Sequence, residues 1–316
     1  MKKELKAVCF GEILFDVFLE HKKIGGAPLN VATRLKALGG EVAMISAVGD
    51  DNNGKKLTHY LDNLGIDTRG IEVKPNYPTG IVNVILNEKG NASYDIQYPS
   101  AWDKIETTAV NKKIVEEADF LVYGSLSCRD SISKKTLLEL LAVAKYKIFD
   151  VNLRVPHYTK KNVLDLLYAA DFIKFNDEEL NEICEDLHSN KKSLEQNIQF
   201  IAELTDTPTV CVTLGSHGAV LFHNNTFYHN CGYKVNVVDT VGSGDSFLAS
   251  LIIMLLNGED PQYAINFASA IGAIVAQSEG ANPIILQSEI DEFLCDFSKK
   301  KHHQCKRLSK IQFAIK

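Results

Sequence analysis

Two rhythms of apolar and polar positions alternate along the chain. Ala7–Phe10 and Val42–Val48 are short apolar runs bounded by glycines, as buried strands are. Further strands are expected at Phe120–Tyr123, Lys147–Val151, Phe172–Phe175 and Val210–Leu214. Between strands the period lengthens. In Asn30–Leu38, Val31, Leu35 and Leu38 share one helical face, and Gly39-Gly40 can end the helix in a left-handed turn. Lys55–Leu64 reads as a helix stopped by Gly65. Serial strand–helix units predict an α/β fold with a mainly parallel sheet and helices on both faces.

One stretch breaks this rhythm. Residues 79–98 read TGIVNVILNEKGNASYDIQY, two extended arms joined by an Asn-Glu-Lys-Gly turn. The pattern predicts a β-hairpin standing apart from the α/β core. On pattern alone it is either a surface hairpin or a lid over a site.

Size and charge narrow the functional classes. The chain has 316 residues, enough for one large domain or two modest ones. Its formal net charge of -6 argues against nucleic acid as the main partner, because phosphate-backbone binding wants a basic face. The longest apolar run, Phe247–Leu256, falls well short of the roughly 20 residues of a membrane span. Glu4, Glu12 and Asp16 interrupt the apolar N-terminal stretch, which reads as a first strand and not as a leader. The seven cysteines, Cys9, Cys128, Cys184, Cys211, Cys231, Cys295 and Cys305, are odd in number and widely spaced, with no CxxC. That pattern argues against a disulfide framework or zinc site and for a reducing, cytoplasmic setting. The basic end, 299–316, reads as a solvated tail.

The strongest chemical signal is Asp239-Thr240-Val241-Gly242-Ser243-Gly244-Asp245-Ser246-Phe247, which leaves the extended segment Tyr233–Val238 and opens the apolar helix Phe247–Leu256. Two glycines around one small residue let the backbone approach a ligand closely. The helix N-terminus then offers amides and partial positive charge to an oxyanion. Asp245 stands at the mouth of that cradle, placed to take a proton from an attacking hydroxyl. The bland alternative is a capped helix after a glycine turn. Two acidic residues bracketing the glycines exceed what a cap needs.

Gly25-Gly26-Ala27-Pro28-Leu29-Asn30 also precedes a helix, and Asn30 can both donate and accept, as a sugar requires; alone, it could equally be an asparagine N-cap. Gly49 to Lys56 nearly matches GxxxxGK[ST], but Lys56 replaces the magnesium-binding hydroxyl, and Asp50 and Asp51 would put negative charge into a phosphate cradle. Asn176-Asp177-Glu178-Glu179 opens a helix after a strand, either as favourable charge in a first turn or as a polar contact near nucleotide phosphates. Thr213-Leu214-Gly215-Ser216-His217-Gly218 leaves another strand through a glycine turn suited to close approach of a nucleotide.

Together these segments resemble the ribokinase-like carbohydrate kinases, the PfkB family. Its first signature is matched by Gly25-Gly26, Asn30-Val31-Ala32, Leu35 and Leu38-Gly39, and its second by Asp239-Thr240, Gly242-Ser243-Gly244-Asp245 and Phe247. The likeness runs from Lys6 to Pro283. It implies a ribokinase-like three-layer sandwich over 1–298 with a small β-lid from 11–24 and 79–100. It implies ATP as phosphoryl donor, with Mg²⁺ and a monovalent cation, K⁺. Asp245 would be the base, and Gly242, Ser243 and Gly244 the anion hole. Asp16, Gly26 and Asn30 would bind sugar hydroxyls. Asn176 and Glu179 match the NxxE motif that organises magnesium and phosphate, with Glu179 reaching the metal through water. Thr213, Gly215 and Gly218 would form the nucleotide-binding turn. Asp239 and the loop around Gly280 correspond to the monovalent-cation site. The lid would also mediate a homodimer.

The fructokinase branch is the nearest. Gly-Gly-Ala-Pro-x-Asn-Val-Ala is its form of the first signature, and Asp150-Val151-Asn152-Leu153-Arg154 resembles its Asp-Pro-Asn-Leu-Arg, which would place Arg154 near the sugar. Val151 departs from the usual proline, and Ser269 from the usual asparagine of Phe-Ala-Asn-Ala. The expected activity is therefore ATP-dependent phosphorylation of fructose. Kinases for 2-keto-3-deoxygluconate, ribose or a nucleoside are the nearest alternatives, and a non-catalytic sugar-binding protein the next. A dinucleotide oxidoreductase is disfavoured, because no GxGxxG follows the first strand.

Overall fold

Alternate residues of the first strand, β1 (Lys6–Phe10), enter two different cores: Ala7 and Cys9 pack on one side, Val8 and Phe10 on the other. That two-residue period, buried on both faces, marks the central strand of a sandwich. The structure, a computed structural model, describes residues 4–19, 21–86 and 92–294. The expected basic tail at 299–316 and the hairpin turn at 87–90 lie outside these residues.

After β1 the chain forms β2 (Leu14–Val17), β3 (Lys22–Gly25), α1 (Ala27–Ala37), β4 (Glu41–Gly49), α2 (Asn52–Asn63) and β5 (Asp67–Lys74). The predicted hairpin follows as β6 (Gly80–Leu86) and β7 (Ala92–Ile96). Next come α3 (Ala109–Glu117), β8 (Phe120–Gly124), α4 (Ser131–Leu141), β9 (Lys147–Asp150), α5 (Lys160–Tyr168) and β10 (Phe172–Asn176). Then follow α6 (Asp177–Asp186), α7 (Leu194–Thr205), β11 (Thr209–Thr213), β12 (Ala219–His223) and β13 (Thr226–Asn230), and finally α8 (Ser243–Leu256) and α9 (Pro261–Ala276).

Nine strands form one sheet in the order β13-β12-β11-β10-β9-β8-β1-β4-β5. All neighbours are parallel except β11 with β12 and β12 with β13. Helices α1, α2, α8 and α9 cover one face and α3 to α7 the other, giving the three layers. A second sheet, β3-β2-β6-β7, stands apart around Leu14, Val82, Ile96, Trp102 and Leu126. Its outer pairs are antiparallel, whereas β2 and β6 run parallel, so two distant stretches of chain are stitched together. Among the described residues no helix is long and apolar enough to cross a membrane.

Three helices begin earlier than the hydrophobic pattern indicates, α2 starting at Asn52 and not at Lys55. Helix α1 starts at Ala27, with Pro28 in its first turn and Gly26 as N-cap, so Asn30 lies inside the helix and is no cap. Helix α8 starts at Ser243, which puts Gly244 and Asp245 in its first turn. Tyr233–Val238 joins no sheet; Val238 and Asp239 donate instead to the carbonyl of Ala276 at the end of α9.

Candidate active site

The parallel strands β1, β8, β9, β10 and β11 all end on one side of the sheet, where open α/β sheets bind ligands. Glu12, Asp150, Asn176 and Thr213 lie at or just beyond those ends. Strands β2 and β3 bring Asp16 and Gly26 to the same side, and the first turn of α8 brings Asp245.

The two first-turn motifs meet directly. Asn30 Nδ2 donates to Asp245 Oδ2 at 2.8 Å, and Asn282 Nδ2 donates to Asn30 Oδ1 at 2.9 Å. Arg34, one turn further along α1, donates through Nε to Ser246 Oγ at 3.2 Å and through Nη2 to the Pro283 carbonyl at 3.1 Å. Helix α1 therefore fixes both the acid of α8 and the loop after α9. Burial, then the charge of Asp150, pushes Asp245 up to about 6, against the Asn30 hydrogen bond, Lys174 and Arg154.

Gly242 is the N-cap of α8 in a left-handed conformation, φ 76°. A Cβ there would lie 2.4 Å from that of Ala281, so only glycine fits. Ser243 anchors the turn by donating Oγ–H to the Gly272 carbonyl at 2.9 Å. The Ser243 amide bonds Thr240 O and that of Ser246 bonds Gly242 O, which leaves the amides of Gly244 and Asp245 to an anion.

The paired glycines of the first motif make room for acids. A Cβ at Gly25 would sit 2.4 Å from Asp16 Oδ2, and one at Gly26, φ 113°, 2.4 Å from the Glu12 carbonyl oxygen. Burial raises Asp16 to about 6; Arg154 opposes the shift and Asp239 adds to it. Burial raises Glu12 to about 7, against its own amide and Arg154. Glu12 is 3% exposed, and its Oε2 has no hydrogen-bond partner. Arg154, exposed at the rim, is the cation common to Glu12, Asp16 and Asp245.

Glu179 serves the fold as well as the site. Asn176 is the N-cap of α6, and Glu179 closes a capping box with it, each accepting the other's amide at 2.8 Å. The second Glu179 oxygen accepts the Leu153 amide at 3.0 Å, which fixes the segment carrying Arg154. Behind it, Lys174 donates to Asp150 Oδ1 at 2.9 Å, both side chains being buried. Burial alone would lower Lys174; Asp150, Glu179 and Asp245 outweigh it and hold the ammonium charged. Lys174 Nζ would lie 3.5 Å from a Cβ on Gly244, so this charge stands beneath the cradle. The turn after β11 is shaped by glycine: at Gly218, φ 93°, a Cβ would fall 2.0 Å from the Asn230 carbonyl. Thr213 Oγ1 ties this turn to Phe175 O at 3.3 Å. Gly215 has open space beside it.

The near P-loop is filled by its own acid. Asp51 N-caps α2 and accepts from the amides of Gly54 and Thr79 and from the Thr79 hydroxyl, so a carboxylate stands where a phosphate would sit.

The sequence pattern assigned no site role to four residues here: Glu12, Asp150, Lys174 and Asn282. A lysine inside the apolar strand FIKFN is itself a signal for a buried ion pair. Nothing local distinguishes Asn282.

Residues 5–287 match the family described as pfkB family carbohydrate kinase. The uncharacterized sugar kinase PH1459 of Pyrococcus horikoshii is 32% identical over 281 residues, 85% of each chain. Fructokinase-2 of Oryza sativa subsp. japonica is 28% identical, over 88% of this chain and 90% of that one. A double-mutant fructokinase from Vibrio cholerae O395, in its fructose-, ADP- and potassium-bound form, superposes with a TM-score of 0.80 over 93% of this chain and 99% of that one. At 24% identity this last likeness speaks to the fold.

Proposed function

Because the chain belongs to the pfkB family of carbohydrate kinases, we propose that it moves the γ-phosphoryl group of ATP onto a hydroxyl of a neutral sugar, fructose first among them. The observation that carries this is the hydrogen bond from Asn30 to Asp245, which sets a carboxylate of raised pKa at the mouth of the α8 N-terminus.

In this reading the sugar lies among Asp16, Gly26, Asn30 and Arg154. Asp245 accepts the proton of the attacking hydroxyl. The cradle formed by Gly242, Ser243 and Gly244 receives the transferring phosphoryl group, with Lys174 charged beneath it. Thr213, Gly215 and Gly218 line the nucleotide side. The acceptor side holds three carboxyl groups, Glu12, Asp16 and Asp245, all opposed by Arg154, with Arg129 also acting on Glu12, Lys23 on Asp16 and Lys174 on Asp245.

No cluster of three metal-binding side chains occurs among the described residues. A nucleotide-borne Mg²⁺ needs none, since it keeps several waters and uses one or two carboxylates beside the phosphates. Asp150 fits, because its Oδ2 is buried without a partner, and Glu179 fits through water, its oxygens already holding two amides. When bound, the metal would neutralise charge on the phosphates.

The second sheet serves as the lid, and Tyr94, exposed on it, supports a homodimer through this sheet. The buried thiols Cys9, Cys128, Cys184 and Cys211 suit a reducing cytoplasm.

The test is ATP consumption with Mg²⁺ on fructose, ribose, 2-keto-3-deoxygluconate and adenosine. Turnover of fructose alone is expected. Turnover of another acceptor moves the substrate and keeps the mechanism. Silence on all four, with sugar binding intact, would favour the non-catalytic reading.

A further inference from the structure

Asp239 clamps two loops. Its Oδ1 accepts the Val241 amide at 3.0 Å and its Oδ2 the Gly280 amide at 3.2 Å. These loops meet where Gly242 packs on Ala281, so the clamp fixes the residue that caps α8. The family resemblance expects an exchangeable monovalent cation beside this carboxylate. The residues present supply their own. Lys23, on β3 of the second sheet, places Nζ 3.6 Å from Asp239 Oδ2. Its stem lies against the same turn, Cδ being 3.9 Å from where a Cβ on Gly280 would stand. The ring of Phe18, 5.7 Å from Nζ, flanks the ammonium.

We propose that the Lys23 ammonium is the built-in cation of the Asp239 clamp, so that this kinase orders its anion cradle without potassium. An ammonium and a potassium ion are similar in size and equal in charge. A second cation at Asp239 Oδ2 would be repelled by the first. The arrangement has a further consequence. The cation is carried on the second sheet, so the cradle is ordered only when that sheet stands where Lys23 can reach Asp239. Potassium, being free to diffuse, would impose no such link.

The proposal rests on the kinase reading for its rate measurement but not for its stability measurement. Sugar phosphorylation and melting temperature would be followed while KCl replaces tetramethylammonium chloride at constant ionic strength. For the wild type, neither is expected to respond to potassium. Lys23→Met should lose activity, and potassium should restore it by about five- to a hundredfold, the usual range of a coupling between two sites. Potassium should also raise the melting temperature of that variant. Lys23→Arg, which keeps the charge, should stay indifferent. Potassium-specific activation or stabilisation of the wild type would overturn the proposal, as would a folded Lys23→Met protein indifferent to potassium in both measurements. Should no sugar be phosphorylated, the melting series still decides.

Discussion

Asn30 and Asp245 lie 215 positions apart and are joined by one 2.8 Å hydrogen bond, from Nδ2 to Oδ2. The contact ties α1 to α8, and in the proposed mechanism the other Asp245 oxygen meets an acceptor hydroxyl. Removing that carboxylate tests the proposal most directly. Asp245→Asn should lower kcat by about 10²–10⁴, the range for losing a general base, with little change in melting temperature. Turnover near that of the wild type would end the assignment.

Asn282 holds Asn30 from behind, its amide donating to Asn30 Oδ1. Asn282→Leu should leave the Asn30 amide held from one side only, weakening the hydrogen bond that lowers the pKa of Asp245. We expect kcat/KM to fall about tenfold, as for one charge-assisted bond, and its acid limb to move to higher pH. A lower rate with an unmoved limb would mean that Asn282 acts on packing alone.

Arg154 opposes the upward shift of three carboxyl groups at once. The wild-type kcat/KM should rise with pH through about 6, as Asp245 loses its proton, and level off above. Arg154→Met should displace that limb upward. A pH–rate series on both proteins at several fructose concentrations measures this, and an identical limb would remove Arg154 from the field of the base.

Stability should run the opposite way. Glu12 is raised in the folded protein to about 7, above its unfolded value, so its contribution is full below the ordinary carboxylate range and is lost as pH rises through about 7. Glu12→Gln cannot ionise. Between about pH 5 and about pH 8, its melting temperature should decline less than that of the wild type. Parallel declines would show that Glu12 does not ionise across this window.

Gly242→Ala should cost about 1–3 kcal/mol of stability, because alanine at φ 76° is strained and its Cβ meets Ala281. Denaturant melts would register the loss, and an unchanged midpoint would show that the 281 turn can retreat.

Much of this architecture is legible in the sequence, and the exceptions have physical causes. The strands from β8 to β11 are short apolar runs buried on both faces, so their positions stand out. The start of α8 was hidden because serine, glycine and aspartate are poor helix formers that the hydrophobic pattern skips. Pro28 hid the start of α1 in the same way, although proline in a first turn is itself a start signal. Asp245, Asn30 and the glycines could be found because each lies in a motif. Asn282 and Lys23 could not, since their roles come from what they reach across the fold: Asn30 for one, Asp239 for the other.

The parallel pairing of β2 with β6 bears on how the molecule assembles. Leu14 pairs with Gly80 across an intervening stretch that holds β3, α1, β4, α2 and β5. Such a ladder closes a long loop, and long loops close late. The second sheet should therefore gain its amide protection from hydrogen exchange after β1 and β4 have gained theirs, and should open before them. The second sheet, the proposed lid, would then open locally at lower cost than the β1–β4 core.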